Sequence, residues 1–339
     1  MSVTGTGRAG FPIVVTAAAL AVLPPLWFGD SRYTTSLAVQ ALVFASYGVG
    51  FNLIFGSTNQ LFLCVGALAG VGGYGAAILS DRTALPVAVG VAVGTASAAA
   101  IGGLLSWVAV RRSLGIIFTG IVTLVFSLSF ANVLLGQRDL TGGETGLVLP
   151  GVAANLADDR VGAYYLFAGL LVGFLIVFRV LQRSHVGWAF RALRDDEVAA
   201  ELAGVDVARY RIYAATVGSA MIGLTGALYA NSSGFISPAT YSFEHVDVPV
   251  LVLVAFGGLG ALLGPVIGAA AFAVLNEQLT SSLQLREVFY GAFVIAIFLG
   301  FRRGVVPTVV SLARRLGRGG RRAPERDQTH RSESVREVS

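Results

Sequence analysis

No lysine occurs anywhere in the 339 residues; all 24 basic side chains are arginines. A Walker-type phosphate loop needs its lysine on the nucleotide phosphates, so the chain cannot hydrolyse ATP by that route. Lysine Schiff-base chemistry is excluded with it. The single cysteine, Cys64, permits no internal disulfide and no cysteine-based zinc site. His185, His245 and His330 stand far apart and form no H-x-x-x-H pair, which argues against a histidine metal centre. Charge is scarce too: 13% of residues are charged, against about 25% in ordinary soluble domains. So few charges could not cover the surface of a soluble chain this long.

Apolar residues make up 55% of the sequence, and 43 residues are glycine, where an average composition would give about 24. This composition predicts an all-α, polytopic membrane protein. A bilayer core about 30 Å thick needs roughly 20 apolar residues per helix. Apolar stretches fall near 11–29, 33–55, 61–80, 84–110, 114–136, 162–182, 211–232, 246–256, 264–282 and 287–303. The eighth is short, and the glycine-rich run Gly257 to Pro265 divides it from the ninth. Glycine and proline at this density break a helix, while Pro265 suits the first turn of the next.

Arginines orient the spans, because cytoplasmic loops collect them. Arg111 and Arg112, the segment 183–211 and the chain beyond 302 are arginine-rich and read as internal. The loops 137–161 and 233–247 carry more acid than arginine and read as external. Between the external loop at 233–247 and an internal tail the chain must cross an odd number of times. Splitting 246–282 at the glycines satisfies this and gives about ten transmembrane helices with both termini cytoplasmic. Ten spans allow two inverted five-helix repeats, although no internal identity proves one. The expected organisation is a cytoplasmic segment 1–10, a transmembrane domain 11–310 and a disordered Arg-rich tail 311–339. The first stretch follows Arg8 and reads as a signal anchor in preference to a cleaved signal peptide.

Arg179, Glu244, Asp247, Glu277 and Glu287 all fall near span ends, leaving no charge deep in any predicted span. Carriers driven by protons usually hold an ionisable group in the membrane, so this pattern argues against one; sodium coupling through backbone carbonyls is less excluded. Ser219 has no intramembrane histidine to act as its base, which disfavours proteolysis. Glycines gather at Gly66, Gly70, Gly72 and Gly73 and again from Gly257 to Gly268. Single glycines of this kind serve close helix packing, whereas glycine breaks at matching places in two halves point to a transport path. Asn52, Asn59, Gln60, Asn132 and Asn231 need partners on other helices or a polar path.

The segment 183–211 is too long for a turn. Asp195 or Asp196 can cap a short helix, Gly204 suits its left-handed C-terminal position, and Val198, Ala199, Leu202 and Ala203 make a small apolar stripe. A helix this short needs a support: either its own membrane domain or a groove on a partner.

The run Val186-Gly187, Arg191-Ala192-Leu193-Arg194-Asp195-Asp196-Glu197-Val198-Ala199-Ala200-Glu201, Gly204-Val205-Asp206 and Arg209-Tyr210 resembles the cytoplasmic loop of branched-chain amino acid ABC transporter permeases, nearest to the M-type subunit. Three further stretches agree in order. Gly56-x-x-Asn59-Gln60-Leu61 with Gly70-x-Gly72-Gly73-Tyr74 is similar to the family's glycine-rich third span. Leu140 to Leu147 resembles its external T-G-G loop. Gly226-Ala227-Leu228-Tyr229-Ala230, Ile236-Ser237-Pro238, Gly257 to Gly260 and Gly264 to Gly268 resemble its C-terminal signature. The resemblance covers about residues 33–310.

It implies a non-enzymatic permease subunit in a bacterial inner membrane, with no cofactor of its own. ATP and Mg would be bound by two cytoplasmic ATPase subunits. A second homologous permease and an extracytoplasmic substrate-binding protein would complete the importer, with lipid around it and no nucleic acid involved. Coupling to the ATPase would fall to Arg191, Arg194, Asp195, Asp196, Glu197, Ala199, Ala200, Glu201 and Gly204. The translocation path would involve Gly56, Asn59, Gln60, Gly66, Gly70, Gly73, Thr141, Gly142, Gly143, Gly257, Gly258, Gly260, Gly264 and Pro265. One departure bears on the cargo. Where the family has Ser-Leu-Gly-His after Asn-Gln-Leu, this chain has Phe62-Leu63-Cys64-Val65, which is greasier. Branched-chain amino acids are the cargo the resemblance implies, with urea, short amides and small carboxylates as alternatives. The rival readings are a stand-alone secondary carrier and a non-transporting scaffold.

Overall fold

The computed structural model describes residues 16–17, 20, 32–82, 86–149 and 160–280. The stretches 11–29 and 287–303, the N-terminal segment and the Arg-rich tail lie outside these, apart from three residues of the first stretch.

Helices account for nearly all the described structure: α1 (Arg32–Thr58), α2 (Val65–Arg82), α3 (Val87–Arg111), α4 (Ile116–Gly136), α5 (Arg138–Thr141), α6 (Arg160–Arg183), α7 (His185–Asp195), α8 (Glu197–Leu202), α9 (Val207–Ser233), α10 (Val248–Gly257) and α11 (Gly264–Thr280). Among the described helices, α1, α3, α4, α6 and α9 are long and apolar enough to cross a membrane. Two short strands, β1 (Leu147–Val148) and β2 (Phe235–Ile236), pair antiparallel with Leu147 opposite Ile236. The all-α polytopic fold read from the sequence holds.

The core is built around α9, which packs on α3, α2 and α1; α6 and α11 close on the outer side of α1. Small residues permit this closeness. A side chain on Gly72 would run into the backbone of Gly223, and one on Gly226 into the backbone of Ala69. With lipid as solvent, such backbone approach replaces the hydrophobic effect as the main source of packing.

Two spans are discontinuous. After α1 the chain runs irregularly through 59–64, and α2 begins only at Val65, four residues later than the apolar stretch. After α9 it passes through β2, a 3-10 turn at Pro238–Tyr241 and a wide turn at Phe243–Asp247, and α10 begins at Val248. At ten residues α10 is about 15 Å long, half a bilayer core. The eighth apolar stretch is therefore a short helix, α10, preceded by a stretch with no α-helix.

The directions follow from the ends. The end of α1 and the turn after α10 meet α7, whereas α2 ends at Arg82, which donates to the Asp139 carbonyl at 2.8 Å beside the strand pair. Thus α2 and α10 start near one point and run towards opposite faces. The longer α1 and α9, 27 residues each, are likewise antiparallel.

Candidate functional site

The segment 183–211 folds as two helices, not one. Its capping was legible: Asp196 accepts from the Val198 and Ala199 N–H groups at 2.9 and 3.0 Å, and Gly204 has φ +83°. The first helix, α7, was not anticipated. It buries Gly187, Ala189, Phe190 and Leu193 and exposes Trp188, over which the Arg191 guanidinium lies at 4.6 Å.

On α8, Val198, Ala199, Leu202 and Ala203 face outward, with Leu202 86% exposed. Ala200 is buried against the chain's own membrane domain. One face of α8 thus carries a small residue for its own seat. Three charged candidates are likewise engaged internally. Glu197 pairs with Arg211 through both carboxylate oxygens, at 2.5 and 2.8 Å. Arg191 donates to the carbonyls of Gly187 and Gln182, and Arg194 to that of Leu259 at 3.2 Å. Asp195 and Glu201 remain exposed.

Arg194 thus reaches the turn between α10 and α11. Gly258 (φ +105°) and Gly260 (φ +74°) adopt backbone that side-chain-bearing residues avoid. A side chain on Gly257 would collide with Gly264, and Pro265 sits in the first turn of α11. Asn52 of α1 clamps this turn, accepting from Gly260 N–H at 2.7 Å and donating to the Ala261 carbonyl at 2.9 Å. Gly56 lies against the same turn. Gln182 of α6 donates to the Gly260 carbonyl at 3.3 Å. Residues expected separately as coupling and path residues therefore meet here. Beside them opens a cavity of about 700 Å³ lined by Arg179, Arg183, Arg191 and Arg194 and by no acid.

Asn59 ends α1 in left-handed conformation (φ +54°), and Gln60 accepts from the Ser106 hydroxyl at 3.0 Å. Both line a second cavity, of about 230 Å³, with Glu197, Glu201 and Arg211. Beyond them, Phe62 and Cys64 are fully buried, so the greasier replacement packs the core here. Asn132 and Asn231 bond to carbonyls of their own helices. Thr141, Gly142 and Gly143 shape the turn at the strand-pair face, where Thr141 donates its hydroxyl to the Leu134 carbonyl; they do not meet the other path residues.

Where α2 and α10 begin, one residue overturns an expectation. Asp247 is 2% exposed, the one acidic or basic side chain fully buried among the described residues. Its carboxylate accepts from the Val65 N–H at 2.5 Å and the Gly66 N–H at 3.1 Å. Hydropathy placed it at a span edge because it precedes an apolar run. The wide turn before α10 carries it into the protein core, where helix amides compensate its burial. The argument against ion coupling from a charge-free interior therefore loses its basis. Alongside, Gly66, Gly70 and Gly73 line one face of α2, and Tyr241 lies across all three. Neither Asp247 nor Tyr241 stood out in the sequence; an acid two residues before Pro249, at the head of an apolar run, was the available signal.

The sequence profile of the family described as branched-chain amino acid transport system / permease component matches residues 33–299. The high-affinity branched-chain amino acid transport system permease protein LivM of Escherichia coli (strain K12) is 28% identical over 316 residues, covering 85% of this chain and 74% of that protein. LivM of Salmonella typhimurium is 29% identical over 322 residues, with the same coverage. The fructose import permease protein FrcC of Rhizobium meliloti is 25% identical over 282 residues, covering 79% of this chain and 77% of that protein. No solved structure matches significantly. The matched profile covers most of the sequence, and the chain belongs to the family of permease components of branched-chain amino acid transport systems.

Proposed function

We propose that this chain is one permease subunit of an ATP-driven importer of branched-chain amino acids in a bacterial inner membrane. It works beside a second homologous permease, two cytoplasmic ATPase subunits that bind ATP and Mg, and an external binding protein. It catalyses no reaction itself and holds no cofactor. The α7–α8 face is cytoplasmic, in keeping with its arginines, and both termini lie on that side.

The observation that carries the reading is the build of α7 and α8. An outward apolar stripe, Val198, Ala199, Leu202 and Ala203, stands on a helix capped by Asp196 and tied to α9 by the Glu197–Arg211 pair. The preceding helix is tied by Arg194 to the hinge between α10 and α11. A push on the stripe is delivered to both a continuous span and a discontinuous one. Arg179 and Arg183 in the adjoining cavity suit an ATPase surface bearing carboxylates. In this reading the candidate coupling arginines act as links within the permease, while the stripe and Trp188 meet the partner.

Uptake of labelled leucine into proteoliposomes holding ATP, with and without the ATPase subunits, tests the reading. Uptake is expected only with the ATPase and binding protein present; uptake by this chain alone under an ion gradient would sink it. That outcome would favour the second reading, a stand-alone ion-coupled carrier, for which the buried Asp247 is the supporting observation. Ala199→Trp should leave the permease folded yet abolish ATPase co-purification. Retention of both co-purification and uptake would remove α8 from the docking role.

A further inference from the structure

Two chemically different groups of one segment occupy the same face of α2. The Asp247 carboxylate sits on the first two amides of the helix, at 2.5 and 3.1 Å. Tyr241 lies along the slot above them, with the Phe130 ring beside it: a side chain on Gly66 would strike the Tyr241 carbonyl, one on Gly70 would strike the Phe130 ring and touch the Tyr241 Cβ at 3.3 Å, and one on Gly73 would meet the Tyr241 hydroxyl. A carboxylate on helix amides with a side chain in an adjoining glycine slot has the outline of an amino acid. A third group supports the comparison independently. The Tyr74 hydroxyl, on the same helix with its ring edge-on to Tyr241 at 6.1 Å, is buried and has no hydrogen-bond partner. A buried orphan hydroxyl is costly unless another state supplies its partner.

We propose that Asp247 and Tyr241 form an internal pseudo-ligand, and that the face of α2 they cover is the cargo site: a small α-carboxylate with an apolar side chain replaces them during transport. The cargo carboxylate takes the Val65 and Gly66 N–H groups. Its side chain enters the slot over Gly66, Gly70 and Gly73, and Tyr74 gains its partner. The segment 238–247 withdraws as one piece, because both groups belong to it. Glycine is required along the slot because a side chain there would occupy the space the cargo needs. This deepens the import reading and rests on it for the identity of the cargo.

Cys64, the single cysteine, adjoins Val65 and is fully buried, so its alkylation reports the opening of this place. The experiment uses the assembled importer in proteoliposomes, with Cys64 labelling by a maleimide read by mass spectrometry of this chain. Wild type, Asp247→Ala and Tyr241→Ala are compared, with Asp247→Asn as a variant of nearly unchanged volume. Labelling should rise about tenfold in Asp247→Ala, the scale of one lost charge-assisted hydrogen bond, and less in Asp247→Asn. Leucine should then protect Cys64 while leucinamide, which lacks the carboxylate, does not. Isobutyrate, a branched carboxylate without an amino group, should protect as well. Equal protection by leucine and leucinamide, protection by none of the three, or unchanged labelling in every assembled variant would overturn the proposal. Isobutyrate protection without leucine uptake by the wild type would uphold the site while removing the branched-chain cargo. Leucine uptake without protection by either acid would remove the site alone.

Discussion

Helices α2 and α4 are both apolar, and they are used in opposite ways. The greasier, α4, carries Ile and Phe at Ile117 and Phe118, which are 73% and 63% exposed; its polar Thr119, Thr123 and Ser127 turn inward. The plainer α2, rich in glycine and alanine, is buried nearly throughout. In water the first would be core and the second surface. In a bilayer the tails are as apolar as the side chains, so grease confers no preference for the interior. Interior positions go instead to residues that let backbones touch or that carry hydrogen bonds.

Substitutions in either helix expose the difference. Gly72→Leu puts a side chain into the Gly223 backbone and should cost more than about 3 kcal/mol, seen as loss of the monodisperse detergent-solubilised protein. A variant that stays folded and melts like wild type would show that the α2–α9 seam is loose. A smaller effect is expected from Asn52→Ala, which strands the Gly260 N–H and the Ala261 carbonyl. It should cost about 1–3 kcal/mol and speed hydrogen exchange across 258–263. Unchanged exchange there would mean the turn holds without its clamp. Least of all, Ile117→Ala should shift stability by under about 0.5 kcal/mol. A loss comparable to that of Gly72→Leu would place α4 against protein in place of lipid.

Most of this arrangement was legible where the determinants are local. Apolar runs placed α1, α3, α4, α6 and α9 within a few residues. Asp196 and Gly204 gave the ends of α8 because capping depends on neighbours two or three positions away. Helix α7 escaped because its apolar positions, Ala189, Phe190 and Leu193, are few and sit among arginines. Asp247 escaped for a deeper reason. Its partners, Val65 and Gly66, are 182 and 181 positions distant, and no window along the chain contains both ends of such a bond. The path glycines were found by spacing, yet what fills the slot they make, Tyr241, is visible only once α2 and the segment before α10 lie together.

The small strand pair has a consequence for the order of assembly. Leu147 and Ile236 are roughly ninety positions apart, and closing so large a loop yields little until intervening helices are fixed. Helices enter the membrane from the N-terminus onward as synthesis proceeds. The β1 edge therefore waits unpaired until α9 has been threaded and its far end has emerged. Pairing then acts as a late checkpoint: only a chain whose α6 and α9 have both inserted in the right sense brings Phe235 and Ile236 to the side where β1 waits. A chain with one of these spans inverted would leave that edge without its β2 partner.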